Sequence, residues 1–112
     1  MDVARGTRCI NSIPLHHRLL FENEWVRILD TFIPPGDITG IHTHKWPSSL
    51  YILSWSDFIR YDKDGNAVLD SRNIKSAPVS GTALWSEPLI PHALKNIGTA
   101  DIHVISVEIK QK

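Results

Sequence analysis

The stretch Gly36-Asp37-Ile38-Thr39-Gly40-Ile41-His42-Thr43-His44 decides how this chain is read. It follows Pro34 and Pro35, and the run Pro34-Pro35-Gly36-Asp37 ends the strand before it. Proline has no ladder donor and glycine accepts turn conformations. The chain is extended again over Ile41–His44. On a strand, residues two apart face the same way, with Cα atoms roughly 6.6–6.8 Å apart, so His42 and His44 can converge on one ion. A third ligand has to come from elsewhere. His92 is the candidate, because Pro91 restricts the turn expected to present it. An isolated His-X-His in a β-protein is more often a surface or hydrogen-bonded pair, so the pattern around it has to decide.

Outward from this stretch the punctuation is all-β. Before it, Trp25–Ile33 alternates, with Val26 and Ile28 on one face and a slip in period near Leu29. After it come Ser49–Leu53, Asp57–Asp62, a hairpin turn Lys63-Asp64-Gly65-Asn66 and a return over Ala67–Arg72. Residues 73–81 read as a polar loop. Thr82–Ser86 and Ala93–Ile97 are short strands. Ile102–Ile109 closes the series, with His103, Ile105, Val107 and Ile109 on one face and Ile102, Val104, Ser106 and Glu108 on the other. About eight short strands without a helix predict a sandwich, barrel or jelly roll. Residues 1–20, with Pro14 and the pair His16-His17, read as an N-terminal arm with exposed histidines, and 21–112 as a single domain.

Composition excludes several classes. The 112 residues are 42% hydrophobic, enough for one core. Twelve basic and twelve acidic residues cancel, which argues against a nucleic-acid binder or a basic membrane-surface protein. No apolar run reaches the length of a membrane span, and residues 1–12 have no signal-peptide core. Cys9 is the single cysteine and cannot form an internal disulfide. The cytoplasm is the expected compartment.

The spacing resembles that of the cupin superfamily. Gly36 is followed by five residues and then His42-Thr43-His44; Gly81 is followed by ten residues, His92, three more and Asn96. These positions match the two cupin motifs in type and spacing, over about residues 21–110. The resemblance implies a jelly roll, the double-stranded β-helix barrel, with one divalent metal ion (Fe, Zn, Ni, Mn or Cu) held inside by His42, His44 and His92. The chain departs from the motifs in three places. The motif glutamate falls at Ser48 or Ser49, the closing glycine of the first motif at Trp55 or Ser56, and Pro-X-Gly of the second becomes Glu87-Pro88-Leu89. Three neutral imidazoles leave the ion its full charge, which favours an anionic ligand. The implied function is a mononuclear metal enzyme acting on a small anionic metabolite, an oxidoreductase of oxygenase type or a related isomerase or decarboxylase. The alternative is a non-catalytic metal- or small-ligand-binding cupin that senses or stores.

Other residues are candidates for that site. Glu87, five positions before His92, is the candidate catalytic base or ligand-orienting carboxylate. Trp46, Tyr51 and Trp85 are candidate pocket walls, and His103 a candidate lumen residue. Arg27 or Arg60 would clamp a carboxylate if it faced inward; period 2 does not say which face is inside. Asn96 is expected to fix the turn after His92. Apolar residues on both faces of 102–109 point to a homodimer.

Overall fold

The computed structural model describes residues 16–74 and 77–110. The strands are β1 (His17–Glu22), β2 (Val26–Ile33), β3 (His42–His44), β4 (Ser48–Ser54), β5 (Phe58–Asp62), β6 (Ala67–Asp70), β7 (Ala83–Ser86), β8 (Leu89–Asn96) and β9 (Ile102–Ile109). A short 3-10 turn, Ser71–Asn73, follows β6. One sheet runs β1-β2-β9-β4-β7 and the other β3-β8-β5-β6; every pairing is antiparallel. The chain changes sheet at each connection from β2 to β5 and from β6 to β9. This is the wrapping of a jelly roll. Among the described residues no helix is long and apolar enough to cross a membrane.

The core lies between the sheets. Ile33, Ile52, Phe58, Ile102 and Val104 are buried together, with Leu50, Trp55, Leu69 and Leu94 against them. Strand β9 shows how alternation is converted to burial: Ile102, Val104, Ser106 and Glu108 are buried, while residues 103, 105, 107 and 109 face away. Its register with β2 sets that strand's faces too. Arg27 lies opposite Glu108, Leu29 opposite Ser106 and Ile33 opposite Ile102, so the odd-numbered residues of β2 turn inward. The apolar Val26 and Ile28 are on the outer face.

Two segments differ from the sequence reading. Residues 17–20, read as arm, belong to β1, which pairs with β2 from His17↔Thr31 to Glu22↔Arg27. His92 stands in strand β8 rather than in a turn after Pro91. Proline is tolerated inside this strand because the β3–β8 register slips by one residue between His42↔His92 and His44↔Leu89, and Pro91 falls in that irregularity, where a ladder donor is not required.

The motif positions outside the histidines are architectural. Gly36 and Gly81 have φ of 88° and 84°, a region that penalises a side chain. Asn96 is fully buried. Its Nδ2 donates to Ile33 O at 2.9 Å and Ala100 O at 2.8 Å, and its Oδ1 accepts from Gly98 N at 3.0 Å. It fixes the turn between β8 and β9, as expected. Asn96→Ala removes three hydrogen bonds to backbone groups, one buried and two part-buried, so it should cost about 3 kcal/mol in urea unfolding, whereas Asn66→Ala in the exposed hairpin should cost less than about 1 kcal/mol.

Candidate metal and ligand site

Strand β3 presents His42 and His44 on one face, and β8 places His92 directly across the ladder from His42. Ring centroids are 4.9 Å apart for His42 and His44, 4.4 Å for His42 and His92, and 5.5 Å for His44 and His92. The fold therefore brings together the three histidines named from the spacing.

It adds a fourth. His17, read as exposed, is buried at the start of β1, with its ring 5.0 Å from that of His42 and 5.7 Å from that of His44. One ring nitrogen from each of His17, His42 and His44 lies within 4.8 Å of the others. His17 escaped the sequence reading because its strand is a sheet edge whose other residues are exposed. Such a strand carries no alternating apolar face, and the His16-His17 pair was its one signal.

The hydrogen bonds test whether these rings fit a metal ion. His42 Nδ1 donates to the Gly40 carbonyl at 2.8 Å, and His92 Nδ1 to the Ile90 carbonyl at 2.8 Å. Carbonyl acceptors require the proton on Nδ1, which leaves Nε2 as a free lone pair. His44 Nδ1 lies 3.1 Å from Glu108 Oε2. Anchoring one ring nitrogen on a carbonyl or carboxylate and freeing the other is the support pattern of metal-bound histidines. His17 Nδ1 is buried with no hydrogen-bond partner among the described residues. Burial, reinforced by the neighbouring imidazoles, lowers the His17 pKa to about 3. Burial, opposed by the Ile90 hydrogen bond, lowers that of His92 to about 4 and also depresses that of His42. A free ring lone pair is what ligation requires, and the ring nitrogens that converge within 4.8 Å, those of His17, His42 and His44, fit a divalent ion.

Behind His44 stands Glu108, fully buried on β9. Arg27 Nε donates to its Oε1 at 2.6 Å. Burial raises the Glu108 pKa, but the hydrogen bonds from His44 and Arg27 outweigh it and hold the carboxyl below its ordinary value. Trp46 does not wall the cavity. It stacks 5.3 Å from the Arg27 guanidinium, so Trp46, Arg27, Glu108 and His44 form one chain. The sequence signal that could have found Glu108 is that it is the one charge on its strand face.

The rings open into a cavity of about 120 Å³ between the sheets. Its polar lining includes Thr31, Thr39, Ser48, Arg60, Ser86 and Ser106, and Ile33, Leu50, Trp55 and Leu94 are among its apolar walls. Ser48 faces inward and Ser49 does not, so Ser48 occupies the inward position between the two that the motif spacing left open. The other sequence candidates lie elsewhere. Glu87 is exposed and accepts from Trp85 Nε1 at 2.6 Å. Trp85 pairs in register with Ser49, which places both on the outer face. Tyr51 is exposed on the same side of β4. His103 also faces outward, bonded to Asp30 Oδ1 at 2.7 Å and packed on Phe32. The inward tryptophan is Trp55.

No protein-family model and no curated protein matches the sequence. Solved structures do match. A cupin domain from Bordetella pertussis Tohama I superposes with a TM-score of 0.68 at 19% identity, covering 88% of this chain and 95% of that one. An RmlC-like cupin with a double-stranded β-helix fold from Methanocaldococcus jannaschii gives 0.58 at 15%, covering 97% and 90%. A conserved protein with a double-stranded β-helix domain from Klebsiella pneumoniae gives 0.55 at 17%, covering 88% and 74%. With its two wrapped sheets and its histidines gathered between them, the chain has the fold of a small cupin, a double-stranded β-helix jelly roll.

Proposed function

We propose that this chain is a metal-binding cupin that holds one divalent ion through His42, His44 and His92, with His17 beside them, and acts on a small anionic metabolite. The observation that carries the reading is the set of Nδ1 anchors on Gly40, Ile90 and Glu108, which leaves the opposite nitrogens of three neighbouring rings free. A divalent ion bound there would supply Lewis acidity and open positions for an anion or dioxygen. The chain's own contribution is to keep His17, His42 and His92 neutral, orient His44 through Glu108, and shield the cavity with apolar walls. The reaction class we favour is oxygenase-type, or a related isomerisation or decarboxylation.

A second reading, a non-catalytic binding or sensing cupin, is favoured by one observation. Among the described residues the cavity lining contains no carboxylate, and Glu87, the candidate base, is outside it, so of these groups only the histidines and metal-bound water would serve proton transfer. Oxygen uptake by the iron-loaded protein with small carboxylic acids separates the readings. We place the protein in the cytoplasm as a homodimer. The support for the dimer is the set of exposed Phe32, Tyr51, Leu53 and Trp85 side chains on the five-stranded sheet.

Elemental analysis after reconstitution tests the site. His42→Ala, His44→Ala and His92→Ala should each lose most of the bound metal, and His103→Ala should retain it; equal metal in all four would contradict the assignment. Glu108→Gln leaves the His44 ring poorly oriented and should weaken metal binding about 10- to 100-fold, read by competition with a chelating dye.

The pH dependence follows from the lowered pKa values. His17 and His92 are held neutral in the folded chain but protonate near 6.5 once unfolded. Unfolding therefore takes up protons below about pH 6.5. The stability of chelator-treated protein should be full above that pH and fall as pH drops toward 4. The slope should be up to about 1.4 kcal/mol per pH unit for each of the two groups. Urea unfolding at pH 7, 6, 5 and 4 reads this, and His17→Phe should flatten the slope.

A further inference from the structure

We propose that Arg60 anchors a small carboxylate inside the cavity, the acid's other end reaching toward the histidine cluster. This deepens the metal-site reading and rests on it only for that second contact. Arg60 lies on β5 opposite Leu94 of β8, and Leu94 shares its strand face with His92, two residues before it. The register therefore turns Arg60 into the same cavity that the histidines line.

Among the described residues its charge has no partner there. Among the described arginines, Arg18 pairs with Asp30, Arg27 with Glu108 and Arg72 with Asp70. Among the described residues Arg60 forms no ion pair, and its buried Nε has no hydrogen-bond partner. The acid opposite His92 is Asp62, but its carboxylate accepts from the Asp64 and Asn66 amides in the hairpin. Glu108 is engaged by Arg27 and His44. Among the described residues no Asp or Glu lines the cavity. Burial depresses the Arg60 pKa, the direction expected of a cation kept from water without a counter-charge. A guanidinium in that state is stabilised most by an anion that accepts its parallel N–H groups, which a carboxylate does in plane.

The walls limit what carries the carboxylate. Ile33, Leu50, Trp55 and Leu94 are apolar, and the volume of about 120 Å³ is well below that of drug-sized pockets. A short-chain carboxylic acid fits both constraints. A nucleotide or a peptide does not.

Isothermal titration with butyrate, 1-butanol and butylamine tests the proposal on the intact protein, once chelator-treated and once zinc-loaded. Butyrate should bind the parent at least tenfold more tightly than butanol, and butylamine should not bind. Arg60→Met should lose at least tenfold in butyrate affinity while keeping the parent's zinc content, and Arg72→Met should match the parent. If Arg60→Met fails to fold, Arg60→Lys decides: it keeps the charge but loses the planar fork, and should weaken butyrate severalfold. Butyrate binding unchanged in the folded Arg60 variant, or butanol binding as tightly as butyrate, overturns the proposal. Arg60-dependent butyrate binding in a protein that takes up no zinc upholds it and removes the metal reading alone.

Discussion

The pairing of His42 and His92 across the β3–β8 ladder is the constraint on which the rest of the site depends. Each ring donates from Nδ1 to the carbonyl two residues before it, Gly40 for one and Ile90 for the other. The same local device on two strands therefore fixes both tautomers. The one-residue slip between this pair and the next brings His44 alongside and makes room for Pro91. His44 lacks a carbonyl anchor and takes Glu108 instead, whose charge is balanced by Arg27. Burying a carboxylate this deeply is tolerable only with both partners in place.

Much of this was legible in the chain and some was not, for a definable reason. The spacing from Gly36 to His44 and from Gly81 to Asn96 located three of the four clustered histidines. The alternation of Ile102–Ile109 located the closing strand and separated its faces. Period 2 states which residues share a face, but not which face is inside. That is settled by register. Trp85 opposite Ser49, and His103 opposite Phe32, are outward for this reason. Glu87 suited its role only if the segment before His92 folded over the cavity, and it bonds the outward Trp85 instead. His17 was the hardest to see, because an edge strand buries one residue and exposes the others.

The cavity differs from the motif pattern in charge as well as in ligands. Where a carboxylate is expected there is Ser48; Asp62, opposite His92, is turned to the hairpin amides, and Glu108, behind His44, is held by Arg27. Four imidazoles and one arginine then line a small space to which no described residue brings a carboxylate. A divalent ion would add to that imbalance. On the reading proposed above, the charge missing from the lining would be supplied by an entering anion.

X-ray absorption spectroscopy of the zinc- or iron-loaded protein tests the central claim most directly. The account predicts nitrogen scatterers at about 2.0–2.2 Å, with the outer-shell multiple scattering of three or more imidazoles. A spectrum with fewer than two imidazoles, or one dominated by carboxylate oxygen or by sulfur, would contradict it.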